Sequence, residues 1–518
     1  CTCLVGSEMC IRDRNRVERI TDGELNVTLY TYDANDNQRS HRDANSNVVT
    51  YEYDALDRRI EHRQPNQVVT TFRYDEEGNM VGRTDPNGRQ FTYTYDAINR
   101  QTSESYPPVS SPYMQVQLVE TEYDGNNNPI QTTEHKVNNR TGGGIIDVSA
   151  RTFDLLDRLT QDTQRGHVIS YQYDDNGNRT QVTSVGGSTS YTNDNRNRLR
   201  TATTENGTST YTYTADSKQA QVAYPNGTIT RYDYDEADRT VSAINERVVG
   251  NATELISRFD YDYDLNSNRV LQTETQNGFA ERKIQTTTYE YDNADRMTGY
   301  VITDQETGDV HTADYTFDFN YNRVTEVEKQ TVGGVTTTIK DRTSAYDGNN
   351  RLTSITDNLD PDNNSIDYTY DANGNTLTKT DNTQSVPALT TFRYDSRNQL
   401  TQVIRGPPEN EESRGLYDYN ALGMRVRHLD SERGDIEYLY DGKSILEERT
   451  LGTNTLLAHY RYSDRLLSLN TATDEHYYHY SALRTTANLT NVAGEIQASY
   501  RTDCLLYTSD AADDCVCV

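Results

Sequence analysis

Aromatic and small polar residues alternate along the segment Thr84–Glu104, which shows most clearly how the chain is built. Phe91, Tyr93 and Tyr95 fall on one face of an extended segment, and the threonines between them fall on the other. A period of two is typical of a strand with one buried face and one exposed face. The pattern therefore predicts a half-buried β-strand ending at Tyr95.

The alternation stops at the polar segment Asp96–Arg100, and a second polar stretch begins at Gln101. Asp and Asn side chains accept hydrogen bonds from backbone groups one or two residues further on, which favours a tight turn followed by a returning strand. Asp85–Gly88 precedes the aromatic strand, and its Pro and Gly suit the opposite turn. One unit is thus predicted to be a β-hairpin.

The unit repeats along almost the whole chain. Its second aromatic stands at Tyr32, Tyr53, Tyr74 and Tyr95, in steps of 21 residues, and sixteen Tyr-Asp dipeptides mark the array. Such a period indicates a repeat architecture. Two turn lengths are predicted, a short form in Asp54–Arg58 and a long form in Asp174–Arg179. The signature residues are Tyr32, Asp33, Tyr53, Asp54, Arg58, Tyr74, Asp75, Tyr95, Asp96, Arg100, Tyr173, Asp174, Arg179, Tyr234, Asp235 and Arg239.

The composition is too polar for one dry core. Hydrophobic residues make up 33% of the 518 residues, against about 45–50% in ordinary domains, and there are 40 Tyr, 8 Phe and no Trp. The mean hydropathy is -0.92. Because Tyr can pack its ring while its hydroxyl stays hydrated, a sheet rolled around a wet space fits these numbers.

Hairpins laid edge to edge give one long antiparallel sheet, in which each unit contacts its neighbours and length is not limited by a core. Native strand twist then makes the sheet spiral. A propeller would need roughly eleven blades where 4–8 are typical, and a parallel β-helix has no hairpin turns. We therefore predict an all-β fold made of a spiralling sheet of repeated hairpins.

The repeated Tyr-Asp units resemble the YD-repeat, or Rhs (rearrangement hotspot), family, from about Thr28 to Asp503. The segment His476–Asp503 resembles part of the Rhs-associated core motif, although Ser481, Arg484 and Thr485 stand where the family usually has Asp, Gly and Ser. The residues matched to the core motif are Tyr477, Tyr478, His479, Leu483, Leu489, Thr490 and Gly494.

The resemblance implies a hollow, teneurin-like YD-shell over residues 15–475 and a partial core motif over residues 476–503. In bacterial members the shell is similar to a capsule around a C-terminal toxin, which is released by self-cleavage after the core motif and acts in competition between cells or against hosts. Insertions within 100–117, 136–146 and 406–415 are interpreted as rim loops within one array.

The two ends differ from the repeats in composition. Residues 1–14 and 504–518 contain all six cysteines. Both segments resemble sequencing-adapter sequence read in frame, so they are left out of the fold prediction and the chain is expected to be a fragment. The alternative is that these cysteines form terminal disulfides or metal sites. No pair of His or Cys ligands in the rest of the sequence accompanies them.

No catalytic, cofactor or metal site is predicted. The Asp-rich turns lack the Glu that completes an EF-hand loop, and Gly442–Ser444 lacks the first Gly of a phosphate-binding loop. His476 and His479 are three positions apart in a predicted strand, which places them on opposite faces. No Ser, His and Asp arrangement points to a hydrolase.

The net charge of -30 disfavours nucleic acid, which requires basic patches. We predict a non-catalytic shell, secreted or at the cell surface, with a toxin or other polypeptide as its enclosed partner; the sequence contains no apolar membrane span. Two alternatives stay open: a surface or wall-associated adhesin that stacks Tyr on carbohydrate, and, with least support, a secreted hydrolase.

Overall fold

A computed structural model describes residues 8–11, 16–109, 113–138, 142–277, 282–360, 364–384, 386–406, 412–429 and 434–500. Every regular element in these ranges is a β-strand, and there are 43 of them. The segment 504–518, interpreted as adapter sequence, lies outside the described residues, as do most of residues 1–14 and parts of the three predicted rim loops.

The first half of the strands runs from residue 8 to residue 249. They are β1 (Glu8–Ile11), β2 (Val17–Thr21), β3 (Val27–Tyr32), β4 (Gln38–Arg42), β5 (Val48–Tyr53), β6 (Arg59–Arg63), β7 (Val69–Tyr74), β8 (Met80–Thr84), β9 (Gln90–Tyr95), β10 (Gln101–Ser105), β11 (Met114–Tyr123), β12 (Pro129–Asn138), β13 (Gly143–Phe153), β14 (Leu159–Gln164), β15 (His167–Tyr173), β16 (Arg179–Ser184), β17 (Gly187–Asn193), β18 (Leu199–Thr204), β19 (Gly207–Tyr213), β20 (Gln219–Ala223), β21 (Thr228–Tyr234) and β22 (Thr240–Val249).

The second half continues to residue 499. Its strands are β23 (Ala252–Tyr263), β24 (Arg269–Asn277), β25 (Arg282–Tyr291), β26 (Met297–Asp304), β27 (Val310–Phe317), β28 (Arg323–Val332), β29 (Val335–Tyr346), β30 (Leu352–Asp357), β31 (Ser365–Tyr370), β32 (Thr376–Asp381), β33 (Ala388–Tyr394), β34 (Leu400–Arg405), β35 (Glu412–Tyr419), β36 (Arg425–Leu429), β37 (Ile436–Asp441), β38 (Ser444–Thr450), β39 (Leu456–Tyr462), β40 (Leu466–Thr471), β41 (Glu475–Tyr480), β42 (Thr486–Thr490) and β43 (Ile496–Ser499).

Strand order in the sheet follows chain order. Each strand pairs antiparallel with the next, as in β9 with β10, where Tyr93 lies opposite Glu104, and in β42 with β43. The described pairings do not join β1 to β43, so the sheet is open at both ends. The predicted all-β fold, one long antiparallel sheet of hairpins coiled into a shell, is confirmed.

The alternation in β9 produces one buried and one exposed face. Phe91 and Tyr93 retain 1% and 8% of their surface, respectively, while Thr92 and Thr94 are exposed. The aromatic face packs in separate small clusters along the sheet, such as Phe91, Tyr93 and Tyr106 with two valines. Burial is thus distributed from hairpin to hairpin, as the polar composition requires.

The Asp of each Tyr-Asp pair organises the turn that follows it, which we call the YD turn. Asp96 Oδ1 accepts the backbone N–H of Ile98 and of Arg100, both at 3.0 Å, and Oδ2 accepts Arg100 Nε at 2.6 Å. Asn99 takes the left-handed conformation with φ 63°. The hydrogen bond from the Arg100 N–H is the largest effect that lowers the pKa of Asp96, and the hydrogen bond from the Arg100 guanidinium is the next. Together they hold this pKa below its ordinary value.

The prediction of two turn lengths is wrong. Asp174 N–H donates to the carbonyl of Asn178, as Asp96 N–H does to Arg100, so both turns have five residues. Asn178 takes the place of the Arg, because its N–H and amide reach the two carboxylate oxygens of Asp174 at 2.8 Å each. Arg179 is instead the first residue of β16, and its guanidinium binds Asp441.

The Tyr of each pair joins one hairpin to the one before it. Tyr53 Oη donates to the carbonyl of Gln38 at 3.0 Å, and Tyr74 Oη donates to the carbonyl of Arg59 at 2.9 Å. The accepting carbonyl follows the preceding YD turn in each case. Equivalent bonds are made by Tyr32, Tyr95, Tyr123, Tyr173, Tyr213, Tyr234, Tyr263, Tyr291, Tyr346, Tyr370, Tyr419, Tyr440 and Tyr480.

Removing one of these hydroxyls should loosen its hairpin. Tyr53→Phe loses a hydrogen bond worth about 1 kcal/mol, so deuterium exchange in β5 and β6 should become about fivefold faster. Tyr51→Phe is the matched control, since the hydroxyl of Tyr51, two residues earlier, has no hydrogen-bond partner among the described residues. Equal exchange rates in the two variants would contradict the role given to the Tyr53 hydroxyl.

Candidate functional site

Neighbouring YD turns are linked along one rim of the sheet. Arg58 Nη1 donates to the carbonyl of Asp75 at 2.8 Å, and its guanidinium carbon lies 4.8 Å from the centre of the Tyr74 ring. Where Asn replaces Arg, the amide serves instead, as in Asn79 Nδ2 to Asn99 Oδ1 at 2.9 Å. The rim is therefore a continuous ladder of polar side chains.

A second set of contacts joins residues far apart in the chain. Asn45 Nδ2 donates to Asp318 Oδ2 at 2.9 Å across 273 residues, and Asn87 Nδ2 donates to Asp371 Oδ2 at 3.0 Å across 284 residues. Asn226 meets the carbonyl of Asn491 across 265 residues. The turns that contain Asn45 and Asn87, opposite the YD turns of the first half, thus lie on YD turns of the second half, and Asn226 lies on the turn between β42 and β43. One turn of the spiral corresponds roughly to these separations along the chain. We call this contact the seam.

The seam contains a buried ion cluster between β12 and β13 of one spiral turn and β35 and β36 of the next. The fully buried Lys136 Nζ lies 3.0 Å from Asp418 Oδ1, 3.0 Å from Asp147 Oδ2 and 3.1 Å from Glu134 Oε2. It also donates to the carbonyl of Tyr419 at 2.8 Å. This cluster ties the two spiral turns together.

A second cation joins the cluster, which then contains two cations and three carboxylates. Arg427 lies 2.9 Å from Asp418 and 3.2 Å from Asp147. Burial by itself would lower the pKa of Lys136, but Asp418, Glu134 and Asp147 outweigh it and hold that pKa above its ordinary value. Lys136 therefore keeps its positive charge at neutral pH despite its burial.

The aromatic face of the sheet lines two cavities of about 460 and 560 Å³. The first is lined by Tyr289 and Tyr300 together with three carboxylates. The second is lined by six aromatic residues and three cations. The aromatic face of the sheet therefore offers recesses with both polar and aromatic surface.

The core-motif residues continue the sheet. β41 and β42 are joined by a turn in which Ser481 N–H donates to the carbonyl of Thr485, and Arg484 takes φ 66°, so the turn has the same form without its usual Asp and Gly. His479 is fully buried, and its Nε2 lies 2.8 Å from Thr490 Oγ1. Its ring lies edge-on to that of Tyr224, across the seam, at 4.9 Å.

Within the described ranges, no group of three or more His, Cys, Asp and Glu side chains is arranged to hold a metal ion. Over the same residues, no helix is long and apolar enough to cross a membrane.

The family profile described as RHS Repeat matches six segments, residues 32–69, 53–90, 74–107, 153–189, 346–386 and 370–407. Each match spans a hairpin with its capped turn. The chain therefore contains RHS repeats in these segments. A search of curated proteins finds no match.

Solved structures with the same coiled sheet support the RHS assignment at the level of the fold. One is the TcdB2–TccC3–TEV crystal structure, with TM-score 0.64, 14% identity and coverage of 96% of this chain. Others are the Photorhabdus luminescens Tc holotoxin pore with a substitution in TccC3, with TM-score 0.66, 14% identity and 96% coverage, and TcdB2–TccC3–Cdc42, with 0.61, 15% and 95%. This chain spans 27% of each of those chains.

Each predicted signature residue of the RHS array lies at the end of a strand or in a YD turn, except Arg179. Of the predicted core residues, Tyr477, His479 and Thr490 are buried, and Gly494 lies in the next turn, against the backbone of Asn226. Sequence analysis missed the Lys136 cluster, because Asp418 and the carbonyl of Tyr419 lie about 280 residues from Lys136 and no local pattern marks them.

Lys136→Met should destabilise the seam strongly. The variant leaves three buried carboxylates with one fewer cation, so the free energy of unfolding should fall by about 3–5 kcal/mol, measured by urea denaturation. Lys340→Met is the control. Lys340 lies 2.5 Å from Glu328 but is 29% exposed, so its loss should cost less than about 1 kcal/mol. Similar losses in the two variants would show that the cluster does not hold the turns together.

His479 should make the RHS shell sensitive to acid. Burial lowers the pKa of His479 from 6.5 to about 3, so the unfolded chain binds the proton first as the pH falls. The stability from the neutral ring is complete above pH 6.5 and is lost toward pH 3. Between pH 7 and 5 the wild type should lose on the order of 2 kcal/mol more than His479→Gln.

The pH effect is measured by urea denaturation at each pH. His135→Gln is the control, since His135 is 38% exposed and lies beside Glu120. Parallel pH profiles for the wild type and His479→Gln would rule out the buried ring as the source of acid sensitivity.

Proposed function

We propose that this RHS-repeat chain is a non-catalytic shell that encloses another polypeptide. The observation that carries the proposal is the seam: two spiral turns are joined by buried polar contacts, including Lys136 with three carboxylates. Contacts of this kind hold successive turns of the wall together, while the aromatic face of the sheet lines the two cavities. A closed wall around polar internal space suits the storage of a chain.

The names of the structural relatives suggest the kind of contents. One of them is a Tc holotoxin pore, and the other two are TcdB2–TccC3 structures. By this analogy the enclosed chain is a C-terminal toxin that follows the core motif, and the intact protein is secreted or displayed at the cell surface for competition between cells or action on a host. Residues 476–503 would then form the last part of the shell wall, directly before the enclosed toxin in the chain.

The adhesin alternative receives less support. Stacking on sugar rings requires exposed aromatic faces, but among the described tyrosines only Tyr321 and Tyr500 are exposed, at 44% and 38%. The outward face of the strands carries mainly Thr and charged residues, as in β9.

The proposal is tested on the intact gene product, obtained by reading the source locus through codon 503. Limited proteolysis with mass spectrometry should find the segment after the core motif protected in the wild type and in Lys340→Met, and cleaved at least tenfold faster in Lys136→Met. Equally rapid cleavage in all three proteins would refute enclosure, and continuation of the locus into further repeats and a wall anchor, with glycan-array binding, would favour the adhesin.

A further inference from the structure

The tripeptide Asn-Gly-Thr occurs twice on the rim opposite the YD turns, at residues 206–208 and 226–228. The first copy begins in the turn between β18 and β19, and the second begins in the turn between β20 and β21. The two turns are neighbours, because Pro225 packs against Gly207. The two copies therefore share their local sequence and their rim, and they differ in what their Asn side chains contact.

The side chain of Asn226 is held at both ends of its amide. Its Nδ2 donates to Thr490 Oγ1 at 3.0 Å and to the carbonyl of Asn491 at 2.9 Å. Its Oδ1 accepts the N–H of Thr228 at 3.1 Å and the hydroxyl of the same residue at 2.6 Å. Rotation of this amide therefore breaks hydrogen bonds within the turn and hydrogen bonds across the seam.

The side chain of Asn206 is exposed, and its amide has no hydrogen-bond partner among the described residues. The backbone N–H of Asn206 donates to Thr204 Oγ1 at 3.2 Å, which orders the turn without holding the amide. The neighbouring Glu205 reaches across the seam and pairs with the buried Arg461. The turn is thus anchored at Glu205, while the amide beside it lies in solvent.

An Asn that is followed by Gly can cyclise without an enzyme, because Gly has no side chain to obstruct the approach of its backbone nitrogen. That nitrogen loses its proton and bonds to Cγ of the Asn, while the bond from Cγ to Nδ2 breaks and ammonia leaves. Water then opens the cyclic imide at either carbonyl, which gives Asp or isoaspartate. The amide must rotate toward the backbone to react, so hydrogen bonds that hold it slow the reaction.

We propose that Asn206 is a site of spontaneous deamidation and that the seam protects Asn226 from the same reaction. The product at residue 206 carries a new carboxylate beside Glu205, whose own carboxylate pairs with Arg461. Isoaspartate also adds one carbon to the backbone of the turn between β18 and β19. The modification therefore alters a contact of the seam. This inference goes beyond the proposed function, because it holds whether or not the shell encloses a polypeptide.

Trypsin separates the two sites for mass spectrometry. Cleavage after Arg200, Lys218 and Arg231 gives peptides 201–218 and 219–231, each of which contains a single Asn. The full chain is incubated at mildly alkaline pH, and samples taken over several weeks are digested and analysed. In the native chain Asn206 should deamidate about tenfold faster than Asn226, since only Asn226 must first break its hydrogen bonds. In concentrated urea the two rates should become similar.

Two matched variants locate the protection. Thr228→Val removes the hydroxyl that donates to Asn226 and should accelerate deamidation at Asn226 severalfold. Thr208→Val makes the same change in the first tripeptide, where the hydroxyl of Thr208 lies 3.0 Å from that of Thr203, and should leave the rate at Asn206 unchanged. A faster reaction at Asn226 with an unchanged reaction at Asn206 in Thr228→Val would exclude general unfolding as the cause.

Equal rates at the two sites in the native chain would overturn the proposal, and so would an Asn206 that stays unmodified. A difference that persists in urea would also overturn it, because the local sequence would then be the cause. An unchanged rate at Asn226 in Thr228→Val would show that the hydrogen bonds on its amide do not protect it.

Discussion

The structure depends on one interaction, an oxygen acceptor at the first position of each YD turn. In Asp96 and its equivalents this oxygen takes the backbone N–H groups two and four residues further on. The acceptor need not be charged: Thr214 Oγ1 accepts the N–H of Lys218 at 3.0 Å, and Asn420 Oδ1 accepts that of Met424 at 2.9 Å. The turn fixes the strand register, and with it the Tyr that reaches the preceding hairpin.

A sheet built in this way has no need of a continuous apolar core. Stability accumulates from each hairpin and its neighbour, as in solenoids, and the Tyr ring supplies both buried area and a hydrogen-bond donor. The Arg that braces one turn also covers the Tyr of the next hairpin, for example Arg100 over Tyr123 at 4.8 Å. This explains how a chain with 33% hydrophobic residues forms 43 strands.

Sequence reasoning reached the parts of the fold that are determined within one or two repeats. The alternation in β9 and the Asp-capped turns depend on neighbouring residues, so their pattern is visible in the sequence. The prediction of two turn lengths was wrong because Arg179, the first Arg after Asp174, was taken as the end of the turn. The fifth position of that turn is in fact Asn178, which is equivalent to Arg100. The seam could not be predicted, since Asn45 and Asp318 are separated by a full spiral turn and resemble many other turn residues.

The seam raises a problem of register that its periodic contacts cannot solve. Two edges made of similar turns could slide past one another by one repeat and still satisfy many Asn–Asp hydrogen bonds. The Lys136 cluster lacks this periodicity. It arises where β11, β12 and β13 lengthen to 10, 10 and 11 residues, and a shift by one hairpin would separate Lys136 from Asp418 and leave buried charges unpaired. A buried ionic group whose cost appears only in the wrong arrangement specifies register more effectively than it adds stability. In this chain the cluster specifies which strands of one spiral turn lie against which strands of the next. The repeated Asn contacts then close the wall.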